Sequence, residues 1–380
     1  MRILTGFPIP FLSPRSSLPV LLVATLLLAP GPPGGGAARA ATWFADAAQA
    51  DDSGDGRSWL TARRHIDSVL TASAAGDTIL VKYGSYPVGD ALVLSSDRRL
   101  GSDDGTHTTW DTARPDSAQC LIVADATCRV LTIIGAAVTT AAERRVGNLS
   151  GCRGTLEDDH NYGYGGGLDI NGGADPVVER CRMTANLAGH TFDGFGGGLS
   201  VRGAGSTPEI RYCRIDNNTG SSAWYAYGGG VYLGSSSAAV MHDCVIVGNR
   251  ASTARVGAGG GVAIYSGSAQ VLSCDISGNV GTTQSGGVGG NGGGVYTYAS
   301  TATIRYCTIT DNVATEASGG SGSGGGLCLN GAGAIQVLDN PAIARNVAST
   351  RGPGNGGGIW SGSGKTIQGN VITDNMACSS

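Results

Sequence analysis

The sequence has little charge and few aromatic residues. Charged residues make up 14% and aromatic residues 6% of its 380 residues, and the formal net charge is −4. Soluble domains usually carry about 25% charged residues. Because the chain has no excess of positive charge with which to hold a phosphate backbone, we expect it to have no nucleic acid partner.

Long apolar runs are also scarce. The apolar stretch at residues 18–29 is shorter than the ~20 residues that a membrane-spanning helix needs, and it is followed by PGPPGGG. Arg2 and Arg15 precede the run, and a small-residue cleavage pattern occupies residues 38–40. This arrangement predicts a signal peptide over residues 1–40, a mature chain from Ala41 without a transmembrane helix, and a secreted or cell-surface location.

Glycine is abundant and regularly spaced. The chain contains 65 glycines, and the triplet Gly-Gly-Gly begins at positions 165, 196, 228, 259, 292, 324 and 356. Each triplet opens a short run such as GGGLDI, GGGVYL or GGGVYT, in which the first and third residues after the glycines are almost always apolar and the middle one varies. The alternation predicts a β-strand with one buried face.

A second block follows each of these strands and reads, roughly, Pro/Ala-x-Ile/Val-x-x-Cys-x-Ile-x-x-Asn. One repeat position is occupied by Cys181, Cys213, Cys244, Cys274 and Cys307, and another by Asn186, Asn218, Asn249, Asn279, Asn312, Asn346 and Asn375. We expect the cysteines to be small buried core residues and the asparagines to form a stacked ladder. Pro341 and Asn370 take the cysteine position in the last two repeats, and the Gly/Ser/Thr-rich segment before each triplet is expected to be a loop.

The repeat decides the fold class. Short strands that recur about every 32 residues cannot bury their apolar face alone and must stack on their neighbours. The sequence therefore predicts an all-β chain, a right-handed parallel β-helix with seven coils over residues 165–380, and an N-terminal cap with the first coils over residues 41–164. An apolar stripe predicts the capping helix, and it consists of Trp59, Ala62, Ile66, Val69 and Leu70.

A C-terminal cap is missing from this pattern. The sequence stops directly after the last asparagine turn, and an uncapped solenoid exposes unpaired backbone groups and apolar core. We therefore expect either self-association at this end or a further C-terminal domain.

With these repeats, the chain resembles the pectate-lyase-like right-handed parallel β-helix proteins over most of residues 42–375. The segments DDSGDGRSW and SVLTASAAGDTILVKYGSYPV resemble the beginning of many secreted members. The pairing of GGG-Leu/Val/Ile with Ile-x-x-Asn is also similar to the repeats of polymorphic outer membrane proteins, which act as adhesins. The resemblance implies the fold, whereas this fold hosts lyases, hydrolases and non-catalytic binders alike.

One candidate site is a row of aromatic residues on the glycine-led strands. The middle, outward-facing positions include Tyr232, Tyr296 and Trp360, each two coils from the next. Two rungs of a parallel sheet span about 9.6 Å, close to the length of a disaccharide in an extended glycan. We therefore expect these three residues to line a carbohydrate groove, the alternative being that aromatic residues merely suit a β-surface.

A second candidate is a calcium site, which would be the one cofactor of the chain. Asp51, Asp52 and Asp55 with Gly56 form a D-x-S-x-D-G-like pattern whose oxygens could face one ion, although such stretches are also ordinary polar turns. The resemblance to lyases adds a basic group in neighbouring coils, which consists of Arg180, Arg182, Arg211 and Arg214 beside Glu179 and Glu209. Local ion pairs on a solvated face are the simpler interpretation of that group.

These observations favour a non-catalytic, adhesin-like protein that binds polysaccharide or another cell-surface glycan. The alternative is a polysaccharide lyase or glycoside hydrolase acting on uronate-containing glycans, so the question of enzymatic activity stays open. No pair of carboxylates recurs on one face with the spacing of a glycosidase, although loops could bring Asp193 near Asp169.

Overall fold

The structure is a computed structural model, and it describes most of the chain after residue 39. The described residues are 40–103 except 83, 89–91 and 96–97, the backbone of four strands between 121 and 150, and 162–378 except 285–288. Ala40–Ser380 forms one compact unit. The predicted signal peptide, residues 1–40, lies outside the described residues except for Ala40.

Each complete coil contains five short strands. In the first fully described coil these are Tyr162–Tyr164, Leu168–Asn171, Val177–Glu179, Arg182–Thr184 and Leu187–Gly189. Every strand pairs in parallel with its equivalent one coil further along, as in Leu168↔Leu199. The result is five stacked parallel sheets, numbered I to V in the order in which a coil visits them.

Sheets I and II contain the first two strands of each coil. Sheet I consists of Tyr162–Tyr164, Asp193–Phe195, Ala226–Tyr227, Gly257–Ala258, Gly290–Asn291, Gly322–Ser323 and Gly354–Asn355. Sheet II consists of Leu92–Ser95, Leu131–Ile134, Leu168–Asn171, Leu199–Val201, Val231–Gly234, Val262–Tyr265, Val295–Tyr298, Leu327–Asn330 and Ile359–Ser361.

The other three sheets complete each coil. Sheet III consists of Glu143–Arg145, Val177–Glu179, Glu209–Arg211, Ala238–His242, Ser268–Leu272, Thr301–Arg305, Ile335–Leu338 and Thr366–Gln368. Sheet IV consists of Ser85–Val88, Leu121–Ala124, Asn148–Ser150, Arg182–Thr184, Arg214–Asp216, Val245–Val247, Asp275–Ser277, Thr308–Thr310, Ala342–Ala344 and Ile372–Thr373. Sheet V consists of Leu187–Gly189, Thr219–Ser221, Arg250–Ser252, Val280–Thr282, Val313–Thr315, Val347–Ser349 and Met376–Cys378.

The main core lies between sheets II, III and IV. Leu168 and Ile170 of sheet II face Val178 of sheet III and Met183 of sheet IV, and all four are fully buried. The predicted apolar alternation after each glycine triplet is therefore confirmed. The five cysteines of the repeat also lie in this core as predicted, and thiols such as that of Cys244 donate to backbone carbonyls, here that of His242 at 3.2 Å.

The asparagine ladder is confirmed and runs along the turn from sheet IV to sheet V. The side-chain nitrogen of Asn249 donates to Oδ1 of Asn279 at 3.0 Å and to the carbonyl oxygen of Ile215 at 2.9 Å. Its own Oδ1 accepts from the backbone and side-chain nitrogens of Asn218. Each inner rung thus satisfies buried backbone groups of two neighbouring coils.

The cysteine position is filled differently in the last two coils. Oδ1 of Asn340 accepts the backbone N–H of Cys307 at 2.8 Å, and the side-chain nitrogen of Asn340 donates to Oδ1 of Asn370 at 2.7 Å. Asn340 therefore takes the cysteine position instead of the predicted Pro341, because this coil holds one extra residue in the turn between sheets III and IV.

The segments predicted as glycine-rich loops form two further layers of strands, sheets V and I. The two sheets pack backbone to backbone: a Cβ atom on Gly194 would overlap the carbonyl of Gly220, and one on Gly257 would overlap that of Gly281. At these two positions only glycine fits between the layers. The high glycine content therefore builds a thin layer beside the main core.

The N-terminal region places a helix over the beginning of the solenoid. The helix Ile66–Ala72 buries Ile66, Val69 and Leu70 in the main core and packs against the first strand of sheet II. It is shorter than the predicted stripe, because Trp59 and Ala62 precede it and pack with Phe44 instead. A three-stranded parallel sheet lies beside it and consists of Thr42–Ala45, Thr78–Lys82 and Arg99–Asp103.

Within the described residues, none of the helices is long and apolar enough to cross a membrane.

The last described coil exposes apolar side chains. Ile367, Val371, Ile372 and Met376 are 41–53% exposed. Self-association through this surface stays a prediction.

Candidate functional site

The three aromatic residues singled out in the sequence do not form an open row. Tyr232 and Tyr296 point away from the main core as predicted, but they are only 3% and 6% exposed, while Trp360 is partly buried. Rings of sheet I cover them: the ring centroid of Phe195 lies 5.0 Å from that of Tyr232, and that of Tyr227 lies 6.2 Å from that of Tyr296. Tyr232 and Tyr296 therefore expose little surface of their own, and the carbohydrate groove that they were expected to line stays a prediction.

The covering rings form a row of their own, with one ring in each of five successive coils. The row consists of Tyr164, Phe195, Tyr227, Tyr265 and Tyr298, and neighbouring centroids lie 4.8, 5.5, 5.1 and 4.9 Å apart. Three of the four contacts are stacked, so most ring faces cover one another. At roughly 0.5–1.5 kcal/mol for each pair, this ring row stabilises the coil stack, and it offers ring edges to a ligand.

Exposed ring faces occur beside the ring row, on the first residues of sheet I and in the preceding turn. Tyr162, Trp224 and Tyr225 are 37%, 42% and 40% exposed. The Tyr162 ring stands edge-on to Phe195 at 5.5 Å, and the Trp224 and Tyr225 rings lie 6.5 Å apart. The guanidinium of Arg255 lies 4.8 Å above the Trp224 ring. These residues form an amphipathic platform on an otherwise small and polar surface.

Asp193 lies between the tyrosines of this platform. It pairs with Tyr162 of the preceding coil, and its Oδ1 accepts the backbone N–H of Tyr225 of the next coil at 3.1 Å. Burial raises the pKa of Asp193, and the hydrogen bond from Tyr225 offsets this only in part. We name the four residues Tyr162, Asp193, Trp224 and Tyr225 the Asp193 patch.

A second carboxylate, Asp169 on sheet II, is paired with Arg202. Asp169 is fully buried, and its oxygens accept hydrogen bonds from Nε and an Nη of Arg202 at 3.2 and 3.0 Å. The guanidinium of Arg202 also lies 4.2 Å from the centroid of Tyr164. Asp169 is therefore bound in a structural ion pair instead of facing Asp193 across an open cleft.

The predicted calcium ligands are dispersed over separate turns. Asp51 accepts the backbone N–H of Ser53, and Asp55 accepts that of Arg57. Asp52 pairs with His65 at 2.8 Å. In the part of the chain that the structure describes, no three acidic, histidine or cysteine side chains are gathered as metal ligands.

The basic group forms ion pairs along sheets III and IV, as its simpler interpretation predicts. Arg211 bridges Glu179 at 3.1 Å and Glu209 at 2.9 Å. Glu209 also contacts Nε2 of His242 at 3.0 Å, and Asp243 holds Nδ1 of the same ring at 2.8 Å. Both ring nitrogens of His242 therefore face carboxylates, an arrangement that stabilises the imidazolium form.

This network predicts a pH-dependent stability. Burial lowers the pKa of His242, but the hydrogen bonds and charges of Asp243 and Glu209 outweigh it and raise the pKa overall. Since the folded-state pKa is raised, the stabilisation is complete below the unfolded value of about 6.5 and is lost as the pH rises through the folded value. We expect His242→Gln to lower the Tm by about 2–4 °C near pH 6 and by less near pH 9 in thermal unfolding. An equal loss at both pH values, or a similar profile for the exposed control His190→Gln, would contradict this.

Comparison with known proteins gives the handedness. Residues 147–289 match the family model described as the right handed beta helix region. The chain is a right-handed parallel β-helix. No curated protein sequence matches it.

Two solved structures are similar to this β-helix at low identity. The Dettilon tailspike protein is 14% identical, with a TM-score of 0.36 and coverage of 82% of this chain. The periplasmic alginate epimerase AlgG is 10% identical, with a TM-score of 0.22 and coverage of 80% of this chain and 76% of its own. The chain spans 64% of the length of the tailspike.

The Asp193 patch was missed in the sequence, although a signal for it was present. Tyr162, Asp193 and Tyr225 each stand three positions before a glycine triplet, and Tyr164, Phe195 and Tyr227 each stand one position before it. These offsets place both sets on the outer face of one β-helix sheet. The glycine-rich composition of the segment predicts a loop, which hides this alternation.

Proposed function

We propose that this β-helix is an exported or cell-surface protein that binds glycan on the outer face of sheets I and II and carries out no chemistry on it. The observation that supports this most is the exposure of Tyr162, Trp224 and Tyr225, by 37–42%, within three successive coils. Tyrosine and tryptophan expose large rigid surfaces that stack on sugar rings at little entropic cost. The leader-like first forty residues support export.

The platform also has the extent that a glycan site needs. Tyr162 and Tyr225 stand two coils apart, which corresponds to about 9.6 Å along the solenoid, and Trp224 extends the surface into the adjoining turn. The edges of the ring row continue the apolar surface along the axis. Tyr232 and Tyr296 support it from below, and Trp360 lies further along the same outer face. We therefore keep these three as supporting residues of the site.

Removing two aromatic rings of the platform tests whether it binds glycan. We expect the double variant Trp224→Ala/Tyr225→Ala to weaken glycan binding at least ~10-fold, because exposed aromatic anchors dominate such interfaces. Affinity electrophoresis in gels that contain neutral, cationic or uronate polysaccharides measures the change. The matched control is Tyr212→Ala/Tyr306→Ala, which removes tyrosines 52% and 50% exposed at the turns between sheets III and IV. Equal retardation of both double variants and the parent protein would contradict the proposal.

The alternative is a glycoside hydrolase or lyase centred on the same patch. One observation favours it: the raised pKa of Asp193 is typical of a carboxylic acid that acts as general acid. Reducing ends released from uronate and neutral polysaccharides, with calcium and with a chelator, distinguish the two functions. Release that Asp193→Asn abolishes would establish the enzyme.

A further inference from the structure

Asp193 is a partly buried carboxylate whose charge is not balanced. Its one hydrogen bond in the described structure comes from the backbone N–H of Tyr225, and no described Lys, Arg or His side chain forms an ion pair with it. Oδ2 has no hydrogen-bond donor among the described residues. A buried charge without a partner is costly, and proteins usually pair it.

Three more deeply buried acids of the solenoid follow that rule. Asp169 is paired with Arg202, and Asp216 with Arg182, each through two hydrogen bonds. Glu179 is paired with Arg211. Asp193 differs from these three acids, and exposed tyrosines precede and follow it in the stack of coils.

A cation is nevertheless available one coil further along. Arg255 places its guanidinium over the Trp224 ring at 4.8 Å instead of reaching Asp193. This contact shows that the aromatic surface of the patch accommodates a cation on a ring face. Among the described residues, no cationic side chain occupies the position beside Asp193.

The tyrosines on either side complete such a position. Tyr162 stands one rung before Asp193 and Tyr225 one rung after it, so their backbone positions lie about 4.8 Å to either side of that of Asp193. Both are about 40% exposed. The negative face of an aromatic ring attracts ammonium groups, and rings beside a carboxylate form a recurring type of cation site.

We propose that Asp193, Tyr162 and Tyr225 form a subsite for the protonated amino group of an amino sugar, so that the preferred glycan contains glucosamine-type residues. The inference rests on the proposed function, because the rings that flank the ammonium are those that stack on the sugar. A uronate-containing glycan is disfavoured, because it brings a second negative charge to Asp193. An N-acetylated sugar binds without the ionic contact, since its amide is neutral.

The test compares two oligosaccharides of equal length, a glucosamine hexamer and an N-acetylglucosamine hexamer, by isothermal titration calorimetry at about pH 6, where the amine is protonated. We expect the parent protein to bind the glucosamine hexamer at least ~10-fold more tightly. Asp193→Asn retains an acceptor for the Tyr225 N–H and removes the charge, so it should reduce that affinity to the level of the acetylated hexamer. The control Asp275→Asn removes the same charge from sheet IV and should leave both affinities unchanged.

Each outcome bears on the two proposals separately. If the parent binds both hexamers equally, or Asp193→Asn binds the glucosamine hexamer as well as the parent does, the ammonium subsite is wrong while glycan binding stands. If Asp275→Asn weakens binding as much as Asp193→Asn, the attraction comes from the net charge of the protein, and the subsite is also wrong. If no hexamer or polysaccharide binds, both proposals are wrong.

Discussion

Gly257→Ala is expected to prevent stable folding of the central coils. A Cβ atom at this position would overlap the carbonyl oxygen of Gly281 in sheet V, and the backbone nitrogen of Ser252 would lie 2.9 Å away. Both obstacles are backbone atoms held by pairing with the coils on either side, so neither can move alone. We expect a cost of about 4 kcal/mol or more, which is exceptional for the addition of one methyl group.

Thermal unfolding and the yield of soluble protein measure this effect. The matched control is Gly362→Ala, where the nearest heavy atom to the new Cβ would be the carbonyl oxygen of Leu329 at 3.7 Å. The control should keep the parent Tm to within about 2 °C, since surface changes rarely exceed about ±0.5 kcal/mol. A Gly257→Ala protein as stable as this control would disprove the close packing of sheets V and I.

Asn249→Asp, which replaces one amide nitrogen with oxygen, is expected to destabilise the fold strongly. The new carboxylate oxygen would face the carbonyl oxygen of Ile215 and Oδ1 of Asn279, both acceptors to which the amide of Asn249 now donates. The residue is fully buried, so repulsion between acceptors adds to the burial of a charge. Breaking a buried polar network in this way costs about 3–5 kcal/mol.

The same variant has a pH signature. Burial raises the folded-state pKa of the new carboxyl, so the protonated form, which can donate one hydrogen bond, is the better tolerated one. The destabilisation should therefore be smallest below the unfolded value of about 3.9 and grow as the pH rises above it. Chemical unfolding at about pH 4 and pH 7 tests this, with the exposed Asn355→Asp as control. A pH-independent loss would contradict the ladder geometry.

Much of the fold could be predicted because the repeat shows in residue types with distinct physical roles. Alternating apolar residues such as Leu168 and Ile170 mark strands whatever their neighbours are. A buried asparagine every ~32 residues has few structural uses besides a ladder. The cysteines could be assigned to the core because they recur at one position and not in pairs.

Sheets V and I could not be predicted in the same way. Their inward residues, such as Gly194, Ala251 and Gly257, give no apolar alternation, because the two layers approach too closely for larger side chains. Glycine in strand interiors is also a usual sign of turns. The sequence pattern of a loop and that of a glycine-packed double layer are therefore alike.

The candidate site was only partly predictable for a related reason. Alternation shows that Tyr232 points outward, but whether it reaches solvent depends on Phe195, which lies in another sheet and another coil. The environment of Asp193 likewise comes from Tyr162 and Tyr225, one coil before and one after it. Contacts between coils depend on the register in which their strands pair. The sequence pattern does not give this register for sheet I, because its strands have the composition of loops.

The position of a bound glycan tests the central claim most directly. Hydroxyl-radical footprinting measures the oxidation of each tyrosine and tryptophan with and without a polysaccharide that retards the protein in gels. The account predicts protection of Tyr162, Trp224 and Tyr225 and no change at Tyr212 and Tyr306, which are exposed to a similar degree on another face. Protection of Tyr212 and Tyr306, with Trp224 and Tyr225 oxidised as in the free protein, would contradict it.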